Sequence, residues 1–308
     1  MYKFTSTNGF KTRTMGQIKD LADEHRLVSD LFKLPKSQHE WEQYRLTDEQ
    51  VAHFHEFGYL SGIKLLDESQ VQVLCNELEE IKDPKHPGHH LFYEFHSNES
   101  EDPKTVLFHS LGHWRITPGF HDVIWNPAFV MAAHQLLENK PVRFWHDQLF
   151  CKPAKHGGVV AWHQDYSYWT RTIAMQHLTC WTGLDDASLE NGCLHYIPKS
   201  HKWGLLNAPE LAGDMNGLLT HLTANQKEEF KPVPIELKKG HATFHHPLMV
   251  HGSYENKSKM RRRAFVLNVF ADGTISNTDD ELLQGVPRIK KGNKMEGKFF
   301  PLIYNNQT

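Results

Sequence analysis

The sequence predicts a mainly β fold with flanking helices, of the α+β class, built around two antiparallel sheets. From residue 142 onward, short runs rich in β-branched and aromatic residues alternate with turn residues, which is typical of such sheets. The strongest helical spacing of apolar residues lies before residue 142. At 308 residues the chain can bury one substantial core. We therefore expect one domain over 46–275, an N-terminal extension over 1–45 that wraps the core, and a C-terminal tail over 276–308 that lies on the surface or mediates contacts.

Three helices are predicted ahead of the β-rich region. The first begins at Thr47, where Gln50 completes a capping box. The second begins at Asp67, which has the same relationship to Gln70, and its apolar residues recur at helical spacing. The third begins at Asn126, with a proline in the first turn, where proline is tolerated.

Seven strands are predicted, over residues 59–65, 142–152, 159–165, 178–185, 193–197, 242–246 and 262–271. Asn191 and Gly192 predict a tight hairpin turn between the strands ending near 185 and starting at 193. The segment 204–236 is too long for a hairpin, so we expect an inserted lid for substrate recognition. The irregular segment 92–114 is a second candidate to cover the active site.

Two histidine motifs predict a metal site. His163 and Asp165 lie two residues apart in a β-rich run, so their side chains project from the same face. His251 follows a later β-like segment, and an adjacent strand could bring it in as a third ligand. Two imidazoles and one carboxylate can occupy one face of an octahedral ion and leave three positions open. This arrangement is typical of the non-haem Fe(II) enzymes that activate oxygen.

A run of three arginines, Arg261 to Arg263, begins a strand rich in apolar residues. A guanidinium can bind a carboxylate through two parallel hydrogen bonds. Burying an arginine without a partner is unfavourable, so a core-facing arginine here indicates an anion. The alternation of the strand does not select one of the three, because both faces beyond the arginines are apolar.

Other interpretations of these motifs are open. The chain has 23 histidines, so a pair with a nearby aspartate can arise by chance. A zinc-dependent hydrolase also uses two histidines and a carboxylate, although no HExxH motif is present and hydrolysis needs no arginine slot. A non-catalytic jelly-roll protein that binds a small ligand is a third hypothesis. The arginine run is weak support for nucleic-acid binding.

The composition of the chain limits the classes of molecule that it is expected to bind. A net charge of −3 gives no electrostatic attraction to nucleic acid or to anionic membranes. No apolar run could span a bilayer, and the first residues lack a signal-peptide core. The four cysteines show no close-spaced framework. We expect a cytoplasmic protein with a diffusible small-molecule substrate, no nucleic-acid partner and no membrane association; no oligomeric state is predicted.

Three ordered blocks resemble a known family. They are the WHQD block that contains His163, the segment LDDASLENGCLHYIPKSHKWG, and HGSYENKSKMRRRA from His251. With these blocks, residues 46 to about 271 resemble the phytanoyl-CoA dioxygenase-like family of Fe(II)/2-oxoglutarate-dependent oxygenases. The resemblance implies a double-stranded β-helix, or jelly roll. It also implies an enzyme that uses Fe(II), 2-oxoglutarate and O2 to hydroxylate a small molecule, releasing succinate and carbon dioxide.

The resemblance also assigns roles to individual residues. His163, Asp165 and His251 match the iron ligands, and the presence of Asp165 argues for hydroxylation, because halogenating members have a small residue there. The residues that match cosubstrate-binding positions are Arg262 for the distal carboxylate, Ser253 as its hydroxyl partner, and Gln164 and Trp181 as pocket lining.

Three aromatic residues next to the WHQD block are ambiguous. Tyr166, Tyr168 and Trp169 could belong to the core, as bulky aromatics beside a strand more often do, or could form the substrate pocket. In the second case they would suit an extended apolar or cationic substrate. His201 also matches a family pattern, and we expect it to support a loop rather than bind iron.

Overall fold

Two antiparallel β-sheets face each other in the computed structural model, which describes residues 18–96, 108–155, 158–207 and 214–305. Within these ranges the larger sheet has eight strands and the smaller has four. Helices and short 3-10 turns pack around them. The fold is a double-stranded β-helix with flanking helices, as the family resemblance implies.

The elements have the following bounds in the described part of the chain. The helices are α1 (Gln38–Glu42), α2 (Asp48–Phe57), α3 (Glu68–Ile81), α4 (Pro118–Asp122), α5 (Pro127–Leu136) and α6 (Ala224–Glu229). The strands are β1 (Tyr59–Lys64), β2 (Glu94–His96), β3 (Phe108–Leu111), β4 (Val142–Lys152), β5 (Val160–His163), β6 (Thr172–Ile173), β7 (His177–Gly183), β8 (Leu194–Tyr196), β9 (Val233–Ile235), β10 (His241–His245), β11 (His251–Ser253), β12 (Arg262–Ala271), β13 (Ile275–Ser276) and β14 (Leu302–Tyr304). The larger sheet has the order β1-β10-β7-β12-β4-β3-β2, with β14 also paired to β4, and the smaller has the order β5-β11-β8-β9.

The helix starts predicted from capping residues are confirmed. Thr47 caps α2 and Gln50 completes its capping box, and Asp67 and Gln70 do the same for α3. The Asn126 side chain accepts backbone N–H groups in the first turn of α5. Each cap satisfies donors that the helix itself leaves free, so these boundaries are determined locally.

Strands β4 and β12 have the predicted bounds and pair along their whole length. On β12, Phe265 and Leu267 belong to the main apolar core, whereas Val266 and Asn268 line a cavity between the sheets. Both sets are buried. Arg262 has the same parity as Val266 and Asn268, so its side chain projects toward the cavity.

The predicted hairpin at Asn191 and Gly192 is wrong. Strand β7 belongs to the larger sheet and β8 to the smaller one, so the turn crosses between sheets. Asn191 stabilises the turn: its Oδ1 accepts the N–H of Ser188, and its Nδ2 donates to the carbonyl of Asp186. Gly192 has a φ of 80°, and a Cβ there would lie 2.5 Å from the carbonyl oxygen of Tyr254.

The described part of 204–236 is absent from the cavity wall, and its role as a lid remains a prediction. The segment contains α6, and Leu218 and Leu222 pack with Trp162 of β5. The exposed residues of the cavity wall are Glu94, His96, Arg171, Glu281 and Gln284.

The C-terminal residues are part of the core, which corrects the predicted surface tail for the described portion of 276–308. Strand β14 pairs with β4, and Phe300 and Ile303 are buried. Polar composition concealed this, because the apolar residues that anchor the segment are widely spaced. Residues 306–308 lie outside the described part.

The N-terminal residues also pack on the core. The Asp122 carboxylate accepts the backbone N–H groups of Val28 and Ser29 at 2.8 Å each. Phe32 is buried. From residue 18 onward the segment therefore contacts the core, as expected of an extension that wraps it, and residues 1–17 lie outside the described part.

Within the described residues, no helix combines the length and apolar character needed to cross a bilayer. The four cysteines are buried and unbridged.

Candidate metal centre and cosubstrate slot

A cavity of about 660 Å³ lies between the two sheets. Its wall includes His163, Asp165 and His251, whose potential ligand atoms all lie within 4.8 Å of one another. Both histidines are buried. The structure thus brings together the three residues predicted to bind metal.

Strand pairing explains this convergence. His163 is the last residue of β5, His251 is the first of β11, and the two are direct partners in the antiparallel pairing. Their ring centroids lie 4.1 Å apart. Asp165 begins the 3-10 turn that follows β5, so its carboxylate returns toward both imidazoles.

Backbone hydrogen bonds set the tautomers of both rings. His163 Nδ1 donates to the carbonyl of Ala161 at 2.7 Å, and His251 Nδ1 donates to the carbonyl of Met249 at 2.9 Å. Each Nε2 then carries a lone pair toward Asp165 Oδ1, at 3.5 and 3.6 Å respectively. Three acceptors that face one another are stable only with a cation among them, and this donor set suits Fe(II).

The second carboxylate oxygen of Asp165 is held by two residues that the sequence interpretation did not assign. His245 Nε2 donates to Asp165 Oδ2 at 2.9 Å, and the Thr179 hydroxyl donates to the same atom at 2.6 Å. Burial raises the pKa of Asp165, whereas the hydrogen bond from His245 lowers it, and the pKa lies well below its usual range. Asp165 is therefore a carboxylate with Oδ1 directed at the metal position.

The structure selects Arg262 from the three arginines. Arg263 forms a bidentate pair with Asp185, and Arg261 pairs with Glu79. Arg262 is 2% exposed and lines the cavity. Its Nη1 donates to the Gly192 carbonyl at 2.8 Å, while its Nε has no hydrogen-bond partner among the described residues.

A second buried cation accompanies Arg262. Lys152 is its direct partner across β4 and β12 and is 1% exposed. Lys152 Nζ donates to Ser253 Oγ at 2.8 Å and to the backbone carbonyls of Ser253 and Tyr254. Burial, and then the charge of Arg262, lower the pKa of Lys152 well below its usual range. Two adjacent buried cations are unfavourable without an anion, so this end of the cavity suits a carboxylate.

The sequence interpretation did not identify Lys152, although a lysine at the end of an apolar strand was an available signal. Ser253 lines the cavity, and its hydroxyl accepts a hydrogen bond from Lys152. Trp181 also lies there, with its ring 5.2 Å from the Arg262 guanidinium carbon. The ring gives the guanidinium an aromatic face to stack on.

Gln164 does not line the cavity, which corrects its predicted role. Its Nε2 donates to the carbonyls of Gly204 and Leu248 at 2.9 and 2.8 Å. Its Oε1 accepts the N–H of Leu206 at 2.8 Å. Gln164 lies between the end of β5 and the 3-10 turn that begins at Asp165, and these hydrogen bonds hold its side chain outside the cavity wall.

The three aromatic residues after Asp165 divide between core and cavity. Tyr166 donates its hydroxyl to the Thr172 carbonyl at 2.6 Å and does not line the cavity. Tyr168 and Trp169 do line it. Burial, and then the charge of Asp165, raise the pKa of Tyr168 to about 12, so its phenol is neutral.

His201 supports a loop, as expected. Its Nε2 donates to the carbonyl of His55 at 3.2 Å, and its ring lies 5.2 Å from that of His246. It is absent from the cavity wall and from the cluster of potential metal ligands.

Comparison with known proteins extends these observations. A family model described as Phytanoyl-CoA dioxygenase (PhyH) matches residues 54–264. A phytanoyl-CoA dioxygenase from Arabidopsis thaliana is 29% identical over 254 residues, which cover 73% of this chain and 88% of that protein. The peroxisomal phytanoyl-CoA dioxygenase from Homo sapiens is 27% identical over 235 residues, which cover 71% of this chain and 67% of that protein.

A solved structure supports the fold. The crystal structure of SnoK, a non-haem α-ketoglutarate-dependent carbocyclase from nogalamycin biosynthesis, has a TM-score of 0.68 and 23% sequence identity to this chain. The similarity covers 84% of this chain and 97% of that one. At this identity the similarity establishes the shared architecture.

Proposed function

The chain belongs to the phytanoyl-CoA dioxygenase family of Fe(II)/2-oxoglutarate-dependent oxygenases, and on that premise we propose that it hydroxylates a small molecule at an unactivated C–H bond, releasing succinate and carbon dioxide. Fe(II) is the cofactor, and 2-oxoglutarate and O2 are the cosubstrates. The substrate enters the cavity between the sheets.

One observation carries the proposal: a single cavity holds both a set of converging metal-ligand atoms and a buried cationic slot. His163, Asp165 and His251 fit Fe(II), because two neutral imidazoles and one carboxylate leave positions for other ligands. Arg262, whose Nε has no partner among the described residues, fits the distal carboxylate of 2-oxoglutarate, and the neighbouring Lys152 adds positive charge. A zinc hydrolase does not require a buried cationic slot beside its metal.

When bound, iron and 2-oxoglutarate together activate O2 and supply the oxidant for the C–H bond. The chain's own residues position the reactants. His245 and Thr179 fix Oδ2 of Asp165, so that Oδ1 is free for the metal. Lys152 orients the Ser253 hydroxyl beside the slot, and Trp181 supports Arg262.

The cavity also separates the reaction from bulk water. The rings of Tyr168 and Trp169 form part of its wall next to the metal-ligand cluster. Excluding water and holding the substrate close to the metal favour reaction with the substrate over unproductive oxidation.

The first experiment is an anaerobic titration of metal-free protein with Fe(II) and then 2-oxoglutarate, monitored by the weak visible charge-transfer band of the chelate. The band should appear in the wild type, disappear in Asp165→Ala, and need much more 2-oxoglutarate in Arg262→Met. Arg263→Met is the matched control, because its side chain pairs with Asp185 outside the cavity. Tight zinc binding without a band would refute the oxygenase proposal.

A second experiment tests hydroxylation itself. Once a turnover substrate is found, product mass separates the outcomes: insertion of oxygen adds about 16 mass units, whereas ring closure or desaturation removes about 2. Hydroxylation predicts the first result, with one succinate formed per product. A product lacking the added oxygen would retain the dioxygenase class and reject the hydroxylase assignment.

A further inference from the structure

A row of polar side chains crosses the inner face of the larger sheet. The strand register pairs His245 with Thr179, Thr179 with Asn268, and Asn268 with His146. Direct partners on antiparallel strands project from the same face, and all four residues line the cavity. His245 and Thr179, at one end of the row, form hydrogen bonds to Asp165. The row continues away from Asp165 through Asn268 and His146.

Asn268 and His146 have no task in the metal centre or the cosubstrate slot. They are 1% and 3% exposed. Asn268 Nδ2 lies 3.4 Å from His146 Nδ1, which is itself 3.5 Å from the carbonyl of Asp147, and both contacts are long for hydrogen bonds. Asn268 Oδ1 has no partner among the described residues. A buried amide in this condition is unfavourable unless a ligand completes its hydrogen bonds.

The surroundings specify an uncharged ligand group. Burial lowers the pKa of His146 to about 3, so its imidazole is neutral, as is the amide of Asn268. The rings of Trp145 and Trp169 lie 5.7 and 5.9 Å from the His146 ring. Neutral hydrogen-bonding groups beside aromatic walls suit a hydroxyl or carbonyl on an apolar skeleton.

This subsite is separate from the slot for the cosubstrate. Asn268 and Arg262 lie on the same strand, β12, roughly 20 Å apart if the strand is extended. The Arg262 end is cationic, whereas the Asn268 end is neutral. The two ends of the cavity thus select different chemistry, and the metal-ligand cluster lies beside the neutral end through Thr179.

We propose that Asn268, assisted by His146, is a substrate-positioning residue that holds a hydroxyl or carbonyl group of an uncharged, otherwise apolar substrate beside the metal centre. This rests on the proposed function, because the row can position a substrate for oxidation only if Asp165 binds iron. The substrate class is then a neutral, oxygenated molecule with an apolar skeleton.

Four probes of similar shape test the proposal: benzyl alcohol, toluene, benzoate and benzylammonium. Their dissociation constants are measured by ligand-observed NMR on protein loaded with Zn(II), which is diamagnetic, and with 2-oxoglutarate. Benzyl alcohol should bind most tightly to the wild type. Asn268→Leu, which is similar in size, should weaken benzyl alcohol about five- to tenfold and leave toluene unchanged. Asn268→Asp should shift the preference to benzylammonium.

Three results would overturn the proposal: tighter binding of a charged probe to the wild type, equal weakening of benzyl alcohol and toluene by Asn268→Leu, or binding of none of the four. The Fe(II)–2-oxoglutarate band is recorded anaerobically for the wild type and both variants. Absence of that band in the wild type would reject the proposed function instead. Its presence in a variant shows that the variant is folded and that the probe result concerns Asn268 alone.

Discussion

Lys152 lies directly opposite Arg262 across the paired strands β4 and β12, and both side chains are almost completely buried. Neither forms an ion pair with a carboxylate among the described residues; instead, Lys152 donates to Ser253 and Arg262 donates to the Gly192 carbonyl. Two like charges in such positions repel each other, and a bound dicarboxylate would relieve that repulsion.

Lys152→Met is therefore expected to weaken 2-oxoglutarate binding about tenfold, because the positive charge beside Arg262 and the donor that orients the Ser253 hydroxyl are lost. The same substitution should leave the thermal stability of the ligand-free protein unchanged or raise it, because an uncompensated buried charge is removed. Titration of the chelate band gives the affinity, and thermal unfolding gives the stability. A variant that loses stability but retains its affinity would show that Lys152 is structural.

The affinity for 2-oxoglutarate should also depend on pH through Lys152. Burial and the charge of Arg262 lower its pKa below the ordinary value of 10.5, so the free protein loses this proton at a lower pH than usual. The bound anion favours the protonated lysine, so binding takes up a proton above the pKa of the free protein. Affinity should then fall as pH rises toward 10.5, with a shallower slope in Lys152→Met. Identical slopes would exclude Lys152 as the group responsible.

His245 supports the metal centre through Asp165. His245→Phe should lower the affinity for Fe(II) about ten- to a hundredfold, the usual effect of removing a hydrogen-bond partner of a metal ligand. His246→Phe is the control, since the neighbouring ring contacts His201 instead. Calorimetric titration with Fe(II) under anaerobic conditions compares the two variants. Equal losses in both would indicate a general disturbance of β10 and contradict the specific role.

Local signals in the sequence were sufficient for the helix starts and for the two long strands. Thr47 and Asp67 satisfy donors within their own helices, so their effect needs no knowledge of the rest of the chain. The metal ligands could be predicted for a related reason. His163 and Asp165 lie two residues apart, and the order of the three sequence blocks identified His251.

The remaining parts depend on contacts between distant segments. Whether Asn191 and Gly192 form a hairpin or a crossover depends on which sheet receives β8, and the turn residues suit both. Lys152 acquires its role only from the register that places it opposite Arg262. The roles of Thr179 and Asn268 likewise depend on the order of the strands in the sheet. The periodicity of apolar residues does not predict that order.

Substitution of Gln164 distinguishes its role in the structure, where it binds the backbone, from the role in the cosubstrate pocket that the family resemblance implies. Its side chain forms three hydrogen bonds to the backbone at Gly204, Leu206 and Leu248. Gln164→Ala leaves those groups without this partner, so we expect a loss of about 2–4 kcal/mol in the free energy of unfolding. The 2-oxoglutarate affinity of the folded protein should change little.

Trp181→Leu is the contrasting variant for this test, because Trp181 lines the cavity and stacks near Arg262. It should weaken 2-oxoglutarate binding more than Gln164→Ala does, since the guanidinium loses its aromatic support. Urea unfolding of the metal-free protein gives the stability of both variants, and the chelate titration gives their affinity. If Gln164→Ala instead weakened 2-oxoglutarate binding at unchanged stability, its side chain would have to face the cosubstrate, and the hydrogen bonds to Gly204 and Leu248 would not persist in the working enzyme.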